Sequence, residues 1–300
     1  MNRRTLIFGA TGMLGRAVTR EATATGGADM VAMGSAECDV TKEEEVLRTV
    51  RTVQPAIIVN CAAYTAVDAA EDAAEAADRL NHVAPRNIAT AAKEADATLI
   101  HISTDYVFDG NTSRPYREDD ATHPLSVYGK TKLDGEKAIA ASGCRHIVVR
   151  TQWLYATWGK NFLLTMLRLF GERTSVGVVS DQWGTPTYVG NVARTVATIA
   201  KRYRPGLDGV YHYADAGKCC WYDFAATIAE MSGAKCRIEP IKTGDYPTKA
   251  VRPPYSVLDT EKVAQTFGIE PPQWQESLAT CLEELGYAPT RRAISQSPTL

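Results

Sequence analysis

No stretch of this 300-residue chain approaches the roughly 20 consecutive apolar residues of a membrane-spanning helix. The opening MNRRTLIFGATG offers four apolar residues at most before its glycine, too few for the core of a signal peptide. Paired cysteines are also missing. The seven cysteines, at 38, 61, 144, 219, 220, 236 and 281, form no C-x-x-C, and their odd number argues against a disulfide framework or a zinc site. Reduced thiols in a cytoplasm are expected. Nor does one sign of charge prevail: 33 Lys and Arg against 35 Asp and Glu leave a net charge of −2, with the basic residues dispersed. Neither nucleic acid nor a membrane is therefore an expected partner, and a small molecule is. Internal repeats and low-complexity tracts are absent. What is present is a chain with 45% hydrophobic residues, long enough for one large domain and a smaller one.

Short apolar runs alternate with helical stretches: TLIF (5–8), MVAM (30–33), AIIVN (56–60), TLIHIS (98–103) and HIVVR (146–150). Strand and helix in strict alternation predict parallel βαβ units, and strands this apolar are covered on both faces. Thr41 and Glu44 read as an S/T-x-x-E capping box, and 42–53 sets Val46, Leu47, Val50 and Val53 on one side of a helix. The expected fold is α/β, a Rossmann-type doubly wound parallel sheet over 1–152, with a smaller α/β substrate domain over 153–286. A helix over 189–203 is expected to pack back on the first domain. Residues 287–300 lack apolar periodicity and read as a loose tail.

GATGMLG, Gly9 to Gly15, follows the first strand and opens a helix. Gly9 permits a sharp turn, Gly12 lets backbone approach a pyrophosphate, Gly15 lets helix and strand close up, and the helix N-terminus offers amides to phosphate oxygens. The spacing is G-x-x-G-x-x-G, not the G-x-G-x-x-G of many dehydrogenases. At the end of the second strand, where an acid would bind the ribose 2′-hydroxyl of NADH, stand Gly34 and Ser35. With Arg16 as a phosphate partner beside the glycine loop, NADPH is the favoured cofactor. NADH stays open through Glu37. Asp39 and Val40 are placed to receive an adenine edge, although Asp39 reads equally as punctuation ahead of Thr41. Asn60 to Thr65 (NCAAYT), ending the third strand, would line the cofactor.

Thr104 and Asp105 follow the fourth strand, where ligands of such sheets bind. Some two dozen residues later SVYGKTK places Tyr128 and Lys132 four apart, on one face of a helix. A hydroxyl, a phenol and an ammonium are what reduction of a ketone needs. Thr104 would hold the carbonyl oxygen, Tyr128 would donate the proton, and Lys132 would lower the phenol's pKa and grip the nicotinamide ribose.

With STDYVFDG (103–110) and SVYGKTKLDGEKA (126–138) go NCAAYTAVDAAE (60–71), VVRTQWLY (148–155), NFLLTMLRL (161–169), SDQWGTPT (180–187) and RPPYSVLDTEK (252–262). Through these the chain resembles the dTDP-4-dehydrorhamnose reductase family of extended short-chain dehydrogenase/reductases, over about residues 3–286. The resemblance implies catalytic roles for Thr104, Tyr128 and Lys132, and cofactor contact for Gly12, Met13, Leu14, Asp39, Val40, Ala63, Tyr64 and Thr65. It implies substrate contact for Thr104, Asp105 and Trp153. Asn161, Gln182, Thr187 and Arg252 are the polar groups that could hold a nucleotide base and diphosphate, with an inter-domain salt bridge as the other reading of Arg252. Gln152, Cys61 and Tyr64 depart from the residues common in the family, and Gln152 beside Trp153 bears on which sugar fits. Magnesium accompanies some members, but no carboxylate cluster marks a metal site here and none is assigned. A homodimer is allowed by the sequence and not demanded by it.

The implied reaction is NAD(P)H-dependent reduction of the C4 ketone of dTDP-4-dehydro-6-deoxy-L-mannose to dTDP-L-rhamnose. A 4-ketoreductase for another nucleotide deoxysugar is the nearest alternative. A non-catalytic regulatory subunit resembling that of methionine adenosyltransferase is the alternative of another class, against which the intact Thr104, Tyr128 and Lys132 set speaks.

Overall fold

The computed structural model describes residues 4–24 and 29–288. Five strands, β1 (Thr5–Phe8), β2 (Met30–Met33), β3 (Ile57–Asn60), β4 (Thr98–Thr104) and β5 (Arg145–Thr151), lie where the apolar runs predict them. All pair in parallel, and Gly209–His212 adds a sixth strand beside β5, giving the order β2–β1–β3–β4–β5–(209–212). The alternation of side chains along each strand splits the sheet's apolar load. Ile7, Val59, Ile100, Ile147 and Val149 enter one core, while Leu6, Phe8, Ile58, Leu99 and Val148 enter another. Each such buried side chain contributes roughly 1.5–3 kcal/mol, which is why these runs fold as central strands.

Helices cover both faces. On the first lie α1 (Met13–Ala24) and the helix Val189–Arg202, in mutual contact; on the second lie α2 (Glu43–Val53) and Ala84–Glu94. The first core runs on into the second half of the chain, through Leu163, Phe170, Phe224 and Leu278. Apart from 209–212, the sheets of that half are two-stranded among the described residues, such as Ser175–Val179 paired in parallel with Arg237–Ile241. Of the expected loose tail, residues 289–300 lie outside the described residues.

The capping box expected at Thr41 and Glu44 is a correction. α2 begins at Glu43 with Lys42 at its N-cap and no side-chain cap. Asp39 has won the Thr41 side chain: the hydroxyl donates to Asp39 Oδ1 at 2.7 Å, and the Thr41 amide donates to the same oxygen at 3.1 Å. Such a local Asx turn competes directly with a helix cap. Those contacts, the Thr41 hydroxyl foremost, hold the Asp39 carboxyl below its ordinary pKa.

Candidate active site

The glycine turn combines tight packing with an open, amide-lined edge. Gly9 sits at φ +73°, and a Cβ there would lie 2.5 Å from the Ala62 amide; on Gly15 it would lie 2.0 Å from the Gly9 carbonyl. Gly12 is exposed, with a single neighbour within 4 Å of the same construction, the Gly9 carbonyl at 3.3 Å. Two glycines are thus consumed by packing and one faces outward beside the first amides of α1. That is the shape and polarity a pyrophosphate requires, so the residues fit a nicotinamide dinucleotide. Met13 at this helix start is tied to the second half of the chain: its carbonyl accepts from Trp158 Nε1 at 3.2 Å, and its sulfur meets Asn161 Nδ2 at 3.7 Å.

At the carboxyl end of β4, Thr104 and Asp105 are both buried. The Thr104 hydroxyl accepts from the Tyr106 amide at 3.2 Å, capping a short 3₁₀ turn, and donates to Asp105 Oδ1 at 3.1 Å. Among the described residues Asp105 Oδ2 has no hydrogen-bond partner. Burial pushes the Asp105 carboxyl up to about 7, with the Ser256 and Thr104 hydroxyls beside it acting in the opposite direction. Because the folded pKa exceeds the ordinary 3.8, the carboxyl favours the fold most at low pH, and that contribution is lost as pH rises through about 7. The melting-temperature difference between Asp105→Asn and the unmodified protein is therefore expected to shift in favour of the variant from pH 5 to pH 8. Thermal melts at the two pH values check it, and a pH-independent difference would contradict it.

Tyr128 and Lys132 arrive on the helix Val127–Ser142, which starts from a Ser126 cap accepting the Gly129 amide at 3.2 Å. Gly129 lets this helix touch the β4 turn, since a Cβ on it would lie 2.2 Å from the Tyr106 carbonyl. The Tyr128 ring meets Tyr106 edge to face, with centroids 5.6 Å apart. Burial drives the Tyr128 phenol up to about 12, with the Thr104 hydroxyl beside it acting in the opposite direction. Lys132 is not among the influences on this pKa, so the phenol is not brought toward neutrality as the spacing leads one to expect. The lysine ammonium turns to the sheet, donating to the Ile102 carbonyl at 2.6 Å, with His101 Nε2 at 3.3 Å. Burial lowers its own pKa to about 8, while the Glu136 charge acts to raise it.

Several residues that shape this centre left no signal in the sequence. His101 is buried, held neutral by burial and the Lys132 charge, and its Nδ1 meets Asn60 Nδ2 at 3.1 Å. Asn60 is itself oriented by the Ala62 amide, which donates to its Oδ1 at 3.0 Å. Asn81 fastens the loop at Tyr64 to the helix Val127–Ser142: its Oδ1 accepts the Tyr64 amide at 2.8 Å, and its Nδ2 donates to the Tyr64 carbonyl at 3.1 Å and Thr131 Oγ1 at 3.2 Å. Glu136, one turn beyond Lys132, forms a buried pair with Arg150 at 2.7 Å and accepts from the Ser103 hydroxyl.

The predicted substrate residues separate into different surroundings. Trp153 holds an unusual backbone, φ +45°, and stacks on Trp221 with centroids 3.5 Å apart and planes at 8°. A Cβ on Gly184 would lie 2.5 Å from its indole. Gly184→Ala is accordingly expected to displace the indole and loosen its stack on Trp221; a changed near-UV circular dichroism spectrum checks this, and an unchanged one would contradict it. Asn161 caps the helix Phe162–Glu172, and its Nδ2 donates to the carbonyls of Ala156 and Trp158. The Thr187 hydroxyl donates to the Thr185 carbonyl. Arg252 grips Asp68 with two nitrogens, at 2.7 and 3.1 Å, the salt bridge that was its second reading. With Phe162, Arg168, Gln182, Trp221 and Tyr246, Arg252 lines a cleft of about 650 Å³. Arg16 lies over the Trp158 ring, 5.4 Å from its centroid. Among the described residues no group of three or more His, Cys, Asp or Glu is arranged to hold a metal, and no helix is long and apolar enough to cross a membrane.

Against known proteins, the family model described as the RmlD substrate binding domain matches residues 3–287. A dTDP-4-dehydrorhamnose reductase from Escherichia coli (strain K12) is 42% identical over 93% of this chain and 97% of its own length. One from Aggregatibacter actinomycetemcomitans is 40% identical over 92% and 97%. The solved structure of the dTDP-4-dehydrorhamnose reductase from Bacillus anthracis str. Ames in complex with NADP is 34% identical, with a TM-score of 0.90 over 95% of this chain and all of that one.

Proposed function

Since this chain belongs to the RmlD substrate binding domain family, the family of the dTDP-4-dehydrorhamnose reductases it resembles, we propose that it reduces the C4 ketone of dTDP-4-dehydrorhamnose, giving dTDP-L-rhamnose. One observation carries the reading: Thr104 and Asp105 at the end of β4 meet Tyr128 from the neighbouring helix, beside a glycine turn shaped for a dinucleotide. NADPH or NADH, bound over that turn, supplies the hydride. Gly12 and the first amides of α1 would hold its pyrophosphate, and Asp39, Val40 and residues 63–65 would line it.

The Thr104 hydroxyl turns from Asp105 to the ketone oxygen, and Tyr128 gives that oxygen its proton. A phenol near 12 is fully protonated at neutral pH and remains a far stronger acid than the alcohol being formed, so donation needs no further lowering of its pKa. Lys132, whose amine at about 8 is mostly ammonium at pH 7, is left to hold the nicotinamide ribose, and the tyrosinate recovers its proton from solvent. The unpaired Asp105 Oδ2 suits a sugar hydroxyl, the Trp153 and Trp221 stack borders the sugar, and the cleft with Arg168, Gln182 and Arg252 takes the nucleotide diphosphate. All seven cysteines are free and six are buried, which suits the cytoplasm. Light scattering decides whether the chain works as a homodimer.

Incubation with NADPH and dTDP-4-dehydrorhamnose tests the function. dTDP-L-rhamnose is the expected product. Consumption of cofactor without rhamnose would assign the chain to another deoxysugar.

A further inference from the structure

The end of β2 carries no acid in sequence, because Gly34 and Ser35 follow Met33, yet the fold returns one to it. The Glu37 carboxylate accepts the Gly34 amide through Oε2 at 2.8 Å. A Cβ on Gly34 would lie 2.8 Å from Thr11 Cγ2 and 3.0 Å from Glu37 Oε2. Thr11, Gly34 and Glu37 therefore bound one small niche between the glycine turn and the loop after β2. With the pyrophosphate at the start of α1, the adenosine ribose of a dinucleotide falls beside the end of the second strand. A carboxylate in that niche accepts a ribose hydroxyl and repels a phosphate.

The cations that would answer a 2′-phosphate are engaged elsewhere. Arg16 lies over Trp158, and Lys42 pairs with Glu45 at 2.9 Å and Asp39 at 3.6 Å. Residues 34–41, GSAECDVT, contribute no Lys or Arg of their own. The absence of an acid at Gly34 and Ser35 is thus offset by an acid three residues later in the chain.

We propose that Glu37 is the specificity-determining residue at the adenosine end of the cofactor, accepting the ribose 2′-hydroxyl and weakening the binding of 2′-phosphorylated dinucleotide. The inference rests on the reductase reading and refines it: NADPH still binds, but without the advantage that Gly34 and Ser35 alone would give it.

Calorimetric titration of the full chain and of Glu37→Gln with NADH and NADPH, which differ only by the 2′-phosphate, tests this without turnover. The variant is expected to gain roughly tenfold in affinity for NADPH relative to NADH, and Glu37→Ser to move the ratio the same way. The kcat/KM ratio for the two cofactors should follow. An unchanged affinity ratio in both variants would overturn the role of Glu37 while leaving the reductase reading intact. Failure of either dinucleotide to bind the unmodified protein would overturn the reading itself and this inference with it.

Discussion

Tyr128→Phe is expected to lose about 10²- to 10⁴-fold in kcat while binding cofactor as well as the unmodified protein. The substitution removes one phenolic oxygen and keeps the ring, so the edge-to-face contact with Tyr106 persists. What disappears is the proton nearest the ketone oxygen, since the Thr104 hydroxyl has Asp105 as its alternative partner. A cofactor titration together with single-turnover kinetics separates the two quantities. Near-normal turnover in this variant would move proton donation away from Tyr128.

Glu136→Ala is expected to destabilise the fold by about 3–5 kcal/mol, the cost of leaving a buried charge without its partner. Arg150 and Glu136 are side by side in the interior, at 5% and 6% side-chain exposure, so solvent cannot take over for the missing carboxylate. Arg150 would retain His212 Nε2 at 3.4 Å, a weak substitute. The same carboxylate supports the Lys132 ammonium one helical turn away, so the variant should also shift any lysine-dependent limb of the pH–rate profile to lower pH. Urea denaturation measures the first effect and the pH profile the second. A variant as stable as the parent would show that the pair contributes nothing to the fold.

The five expected strands were legible because each is apolar on both faces, as Leu6 and Ile7 entering opposite cores illustrate. The sixth was not, since Gly209–His212 begins with glycine, ends in histidine and lies far along the chain from its partner β5. Local competition misled at Thr41, where an Asx turn displaced a helix cap of equal plausibility. At the site, spacing placed Tyr128 and Lys132 on one helix face but could not say how far the lysine reaches, and it reaches the Ile102 carbonyl. Asn81, His101 and Trp221 act through partners 17 to 68 positions away, which neither periodicity nor motif encodes. Glu37 was visible as a candidate; its return to the Gly34 amide needed the loop's three-dimensional course.

In this mechanism hydride reaches C4 of the sugar while Tyr128 protonates the oxygen on that carbon. Reaction of dTDP-4-dehydrorhamnose with dinucleotide deuterated at the reactive position of the nicotinamide, followed by NMR of the product, tests it most directly. The expected product is dTDP-L-rhamnose with a single deuterium on C4; deuterium at any other carbon, or the C4 epimer as product, would rule this mechanism out.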